Sequence, residues 1–187
     1  MPKIVIISSS VRPDRNSHRV ALYLEKFLVD NLLADAEIVD LQKCNFPIFD
    51  ERLKYQQSPS FEALEFASKI NASEGVIIVT PEYNGGIPAS LKNAIDLLYE
   101  EWRHKPVAIV TASVGAHGGV QALMTLQFTL WKMKAWTITE TFNVANVMSA
   151  YNHLGVPSNK SEADELTETL VKELLWCIKA DETVFSD

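Results

Sequence analysis

Cysteine is nearly absent from this chain of 187 residues, which has only Cys44 and Cys177. Two cysteines cannot build a disulfide framework, and no C-x-x-C occurs. Two reduced thiols in a cytosolic protein is the reading that follows. Long apolar runs are missing as well. Ile4-Val5-Ile6-Ile7 near the N-terminus is shorter than the roughly 7–15 residues of a signal-peptide core. Nothing approaches the ~20 apolar residues that span a bilayer, so a cytoplasmic protein with no membrane partner is expected. There is no excess of positive charge: 17 Lys and Arg stand against 24 Asp and Glu, a net charge of -7. Such a surface repels phosphate backbones, and no nucleic-acid partner is expected. A small anion remains possible, because it senses a local pocket rather than the global sum. The histidines (His18, His104, His117, His153) never fall at H-x₃-H spacing, so no metal site is expected. G-x-x-x-x-G-K-[ST] is absent, and no G-x-G-x-x-G follows the first apolar run. A P-loop NTPase is thereby excluded and the usual dinucleotide fingerprint is missing.

What is present is globular in composition, with 47% hydrophobic and 22% charged residues, and its length suits one domain over 1–187. Three runs, Ile4 to Ile7, Val76 to Val79 and Val107 to Val110, are rich in β-branched residues and do not alternate with polar ones. Strands covered on both faces read this way. Glu37-Ile38-Val39 and Trp136-Thr137-Ile138 are weaker strand candidates. Between them lie helical periodicities: Val20, Leu24, Phe27, Leu28; Phe61, Leu64, Ala67, Ile70; Leu91, Ala94, Ile95, Leu98; Leu123, Leu126, Leu130; and Leu166, Leu170, Leu174, Ile178. Each predicts an amphipathic helix. Ser161 reads as the N-cap of the last one. Strict β-α alternation implies a doubly wound α/β sheet, and five strands in one domain of this length suggest a flavodoxin-like three-layer sandwich with a five-stranded parallel sheet in the order 2-1-3-4-5, an expectation from fold analogy and not from the residues. Residues 44–60 read as a long loop, and 181–187 as a frayed end.

In such a sheet, ligands bind at the carboxyl ends of the strands, where three loops stand out. The first runs from Ser8 to Ser17 and gathers serines, Arg12 and Arg15 at a helix start. Backbone N–H groups, the helix dipole and these side chains favour an anion. An ordinary polar loop with Ser17 as N-cap is the plainer alternative. Serines also stand where a receiver domain would need carboxylates for Mg²⁺. The second loop, Thr80-Pro81-Glu82-Tyr83-Asn84-Gly85-Gly86-Ile87-Pro88, is constrained by proline and permits positive φ at its glycines. It could present main-chain groups and the Tyr83 ring to a flat heterocycle, or be a well-punctuated turn. The third, Ser113-Val114-Gly115-Ala116-His117-Gly118-Gly119, suggests backbone close to a ligand. It does not carry the G-x-S-x-G of a hydrolase, since position 111 is Thr.

Together these loops resemble the NAD(P)H-dependent FMN reductase family, which includes flavodoxin-like quinone, azo-dye and chromate reductases. The resemblance is best at Pro81-Glu82-Tyr83-Asn84-Gly85-Gly86-Ile87-Pro88 and through Leu91-Lys92-Asn93-Ala94-Ile95-Asp96. Glu101-Trp102, Lys105-Pro106-Val107 and His117-Gly118-Gly119 extend it. In the first loop Ser9 replaces the family's glycine, Arg15 its second serine and Ser17 its asparagine. The resemblance covers about residues 3 to 135. It implies bound FMN with NAD(P)H as co-substrate and a small-molecule electron acceptor. Ser10, Arg12, Arg15, Asn16 and Ser17 would hold the phosphate, and Pro81, Glu82, Tyr83, Asn84 and Gly85 would line the ring. Ser113, Gly115 and Gly118 would approach its other side or the ribityl chain. Main-chain N–H groups from Tyr83 to Gly85 would stabilise charge on the reduced ring, and no side chain need be a catalytic acid. An FMN electron carrier without NAD(P)H turnover is the alternative. The family also implies a homodimer or homotetramer, with Tyr99 and Trp102 either interface aromatics or ordinary packing.

Overall fold

The computed structural model describes residues 1–184. Its strands are β1 Lys3–Ser8, β2 Asp35–Asp40, β3 Gly75–Pro81, β4 Pro106–Ala112 and β5 Trp136–Val144; its helices are α1 Asn16–Asp30, α2 Leu41–Cys44, α3 Phe61–Ala72, α4 Ala89–Leu97, α5 Val120–Lys132, α6 Val147–Ala150 and α7 Lys160–Val184. All strand pairs are parallel, as the alternation predicted, and the order β2-β1-β3-β4-β5 is the one expected by fold analogy.

The two faces of the sheet explain why the strong strands showed no polar alternation. Ile4, Ile6, Ile77, Val79, Ala108 and Val110 pack under α1 and α7. Val5, Ile7, Val76, Ile78, Val107 and Ile109 pack under α3, α4 and α5. β3 and β4 are buried along their whole length, whereas β2 and β5 lie at the edges and are only part-buried. Edge strands need fewer apolar residues, so their sequence signal is weaker.

Four local expectations change. Asn159 Oδ1 accepts from the Glu162 N–H at 3.4 Å, so Asn159 caps α7 and Ser161 lies inside its first turn. Ser17 is likewise inside α1 rather than capping it, because the helix begins at Asn16. The expected long loop contains two short pieces, the end of α2 and a 3-10 turn at Leu53–Tyr55. The expected fraying from Asp181 is not seen up to Val184, where α7 ends; residues 185–187 lie outside the described residues. Among the described residues no helix is long and apolar enough to cross a membrane.

Trp102 answers the question left at the third periodicity. It is fully buried, its indole N–H donates to the Ile95 carbonyl at 3.1 Å, and it packs on Phe66. It is core and not an interface residue. Tyr99 is half-buried, with the Arg52 guanidinium 4.4 Å over its ring.

Candidate functional site

Parallel register places Ser8, Asp40, Pro81, Ala112 and Val144 along one edge of the sheet. All three loops leave from that edge. Between them lies a cleft of about 120 Å³, lined by residues of the first loop (Ser10, Arg12, Arg15, Asn16, Ser17), the second (Pro81, Glu82, Tyr83) and the third (Ser113). The fold thus brings nine of the thirteen expected site residues to one place. Larger clefts exist. One of about 450 Å³ lies beside edge strand β2 and is lined by Glu25, Glu62, Glu65, Lys43 and Lys69. It is a groove with charged walls that also takes in Asp40 and His18 behind the first loop, and none of the three loops' own residues line it. Cys44 on its wall has its thiol pushed up to about 11, by burial first and then by Asp40 and Glu65, which favours the thiol over the thiolate.

The first loop presents a site for an anion. α1 starts at Asn16, and its first N–H groups have no partner within the helix. Ser17 sits at that start, 3% exposed, and its hydroxyl has no hydrogen-bond partner. A buried hydroxyl without a partner costs about 1–3 kcal/mol, so one at a helix start beside an arginine points to a missing acceptor or donor. Arg12 is exposed, and its guanidinium lies 5.6 Å from the Tyr83 ring centre. Among the described residues none of the ion pairs involves Arg12.

Arg15 differs from its expected role. Its guanidinium makes a two-point pair with the Asp40 carboxylate (Nη2 to Oδ2, 2.6 Å; Nη1 to Oδ1), and Nη1 also donates to the Ser10 carbonyl at 3.2 Å. Both side chains are almost buried. Burial alone would raise the Asp40 carboxyl, but the hydrogen bonds from Arg15 and the Gln42 N–H outweigh it and hold it below its ordinary value. Arg15 is therefore neutralised locally and is not a free anion donor. His18 stands behind the loop, with Nδ1 2.9 Å from Ser8 Oγ. Burial first, then the Arg15 charge, lowers its pKa and favours the neutral ring.

The second loop is a tight hairpin. The Tyr83 N–H donates to the Gly86 carbonyl at 2.9 Å and the Gly86 N–H to Tyr83 at 3.1 Å, with positive φ at Asn84 (52°) and Gly85 (78°). This is the Asn-Gly turn with two left-handed residues, the strongest short hairpin signal a sequence carries. Positive φ falls at Asn84 and Gly85 and not at Gly86. The Tyr83 N–H is engaged inside the turn, which leaves those of Asn84 and Gly85 at its tip. The Tyr83 hydroxyl reaches across the cleft to Ser10 Oγ at 2.7 Å, and its ring faces Arg12.

Glu82 caps a helix. Its Oε2 accepts from the N–H groups of Gln121 (3.0 Å) and Ala122 (3.3 Å) at the start of α5, where Gly119 has no side chain to do so. The carboxylate thus ties the second loop to α5 through the favourable end of the helix dipole.

Gly118 in the third loop has a packing origin. A Cβ on Gly118 would come within 2.9 Å of the Asn143 backbone, and its φ is +61°. The close neighbour is β5, not a ligand space. Gly115 donates its N–H to Ser113 Oγ at 3.1 Å in a local turn. Neither glycine lines the cleft, nor do Asn84 and Gly85.

Over residues 2–149 the sequence matches the NADPH-dependent FMN reductases. The chain belongs to this family. An NAD(P)H-dependent FMN reductase of Saccharomyces cerevisiae is 37% identical, covering 71% of this chain and 75% of its own. Another from Nectria sp is 34% identical, over 94% of this chain and 98% of its own. A quinone reductase of Pseudomonas putida is 34% identical over 64% of each chain. Among solved structures, the flavoenzyme NAD(P)H:(acceptor) oxidoreductase FerB of Paracoccus denitrificans superposes with a TM-score of 0.77 at 24% identity, covering 96% of this chain and 98% of that one. That last likeness concerns the fold.

Three residues at or behind the cleft carried no mark in the sequence analysis: Asp40, Gln42 and Val147. Asp40 closes a strand whose preceding residues are Ile38 and Val39, and a carboxylate ending an apolar strand at the ligand edge was a usable signal. Val147 lines the cleft from α6, and nothing in its local sequence marks it.

Proposed function

We propose that this protein is an FMN-dependent NAD(P)H oxidoreductase that passes electrons to a small acceptor such as a quinone, an azo compound or free flavin. The observation that carries this is the unpartnered, buried Ser17 hydroxyl at the start of α1, in one cleft with the exposed guanidinium of Arg12 and opposite the hairpin loop. The residues fit the phosphate of FMN. About 120 Å³ is small beside the 300–1,000 Å³ of ordinary ligand pockets, so it suits a phosphate and leaves a heterocycle to the open hairpin side. Ser10, Arg12, Asn16 and Ser17 would hold the phosphate, with Arg15 behind them. Pro81 to Gly85 would lie along the ring, and Ser113 on the other wall. When bound, FMN supplies hydride acceptance and onward electron transfer. The chain's residues bind and orient it, and the Asn84 and Gly85 N–H groups offer fixed dipoles to negative charge. The whole chain acts as one flavin-binding domain, and its two free thiols and its nicotinamide co-substrate fit a cytosolic setting.

The test is optical. The purified protein is expected to bind FMN, to bleach it with NADPH under anaerobic conditions, and to recover the colour with a quinone. Flavin that binds but stays oxidised under NADPH would identify an electron carrier instead, and failure to bind flavin would refute both.

The proposed assembly is a homo-oligomer through α5. Its inner face carries Leu123, Leu126 and Leu130 in the core, yet its outer face exposes Met124, Phe128 and Trp131, each about two-thirds accessible (66, 65 and 66%). A helix apolar on both faces is covered on both. Since Glu82 joins the N-terminus of α5 to the hairpin loop, a second copy there would sit near the cleft. Sedimentation is expected to show a dimer or tetramer, and the double substitution Met124→Glu, Phe128→Glu is expected to give monomers. A wild-type monomer at micromolar concentration would overturn this assignment.

A further inference from the structure

Three consecutive carbonyls of the first loop are held from one side. Arg15 donates to the Ser10 carbonyl at 3.2 Å, and Gln42 Nε2 donates to those of Val11 and Arg12, both at 3.3 Å. Arg15 is in turn held by Asp40, which also accepts the Gln42 N–H at 3.1 Å and so starts α2. Asp40 reaches the loop because parallel register sets it level with Ser8, the last residue of β1. Neither Asp40 nor Gln42 lines the cleft. A trans peptide points its N–H opposite to its C=O. Fixing the carbonyls of Ser10 and Val11 toward β2 and α2 therefore turns the N–H groups of Val11 and Arg12 the other way, that of Arg12 toward Ser10 Oγ on the cleft wall at 3.5 Å. Successive N–H groups aimed to one side form a concave nest for an anion.

We propose that Asp40, acting through Arg15, and Gln42 are positioning residues that hold the first loop with its N–H groups toward a phosphate. This rests on the phosphate-site reading above and assigns Arg15 to the support behind that site. The opposite role is physically distinct. If Arg15 were a phosphate ligand restrained by Asp40, releasing it would add a cation to the site and tighten binding.

The sign of one substitution separates the two roles. FMN and riboflavin, which differ only in the phosphate, are titrated by fluorescence into the wild type, Asp40→Asn and Gln42→Ala. With the support removed, FMN affinity is expected to fall about tenfold in Asp40→Asn, the scale of one hydrogen bond to a charged group. Riboflavin affinity is expected to stay within about twofold, which a general loss of structure would not allow. Gln42 is exposed, so Gln42→Ala reports on the loop even if Asp40→Asn fails to fold, and it is expected to lower the preference for FMN in the same direction. Tighter FMN binding in Asp40→Asn would overturn the proposal in favour of Arg15 as a ligand. A wild-type preference for FMN that survives in the folded variants would overturn the positioning role alone. Equal wild-type affinity for FMN and riboflavin would overturn the phosphate site and this proposal with it.

Discussion

Arg12→Ala is expected to weaken FMN binding at least about tenfold at low salt while leaving riboflavin binding unchanged. Of the two arginines at the cleft, Arg15 is neutralised by Asp40, and Arg12 belongs to none of the ion pairs among the described residues. A hydrogen bond to a charged group contributes about 1.5–3 kcal/mol. Arg12 is exposed, and screening places its contribution toward the lower end, so the loss is expected to shrink as salt rises. Arg12→Lys is expected to recover only part of the affinity, because an ammonium cannot make the two-point contact of a guanidinium. Titration of both flavins at two salt concentrations checks this. An FMN affinity within twofold of wild type at low salt would mean that Arg12 does not touch the phosphate.

Trp102→Ala is expected to be the most damaging single substitution outside the cleft, at about 3–5 kcal/mol, the usual cost of deleting a large buried aromatic. The indole is fully buried among α3, α4 and the sheet, and its N–H satisfies the Ile95 carbonyl near the end of α4. The substitution opens a cavity and leaves that carbonyl with the Leu98 N–H, at 3.3 Å, in place of two donors. For a chain of this size, each 1 kcal/mol lowers the Tm by about 2–4 °C, so a fall of roughly 10 °C is the expected reading by calorimetry. Trp102→Phe keeps most of the volume and loses the hydrogen bond, and is expected to fall between. A Tm unchanged in Trp102→Ala, with altered sedimentation instead, would return this residue to an interface role.

The α/β order, the five parallel strands and the three ligand-edge loops were legible in the sequence by itself. These properties are written in local signals. Ile77 and Ile109 sit in unbroken apolar runs because their strands are covered on both faces, and Leu123, Leu126 and Leu130 repeat at the helical period because α5 rests on the sheet. The Asn84-Gly85 turn was equally local. The partners of charged and polar side chains were decided only by tertiary structure. Arg15 and Asp40 are 25 residues apart, and Glu82 lies 39 and 40 residues from the α5 N–H groups that it caps. No periodicity encodes such pairs. They arise because parallel register brings the ends of successive strands to one edge, where a carboxylate finds whichever guanidinium or helix start arrives beside it. The net charge could not foretell that, among the described residues, Arg12 is the cleft arginine that belongs to no ion pair. The need for glycine at Gly118 was likewise set from afar, by the backbone of Asn143 on the neighbouring strand.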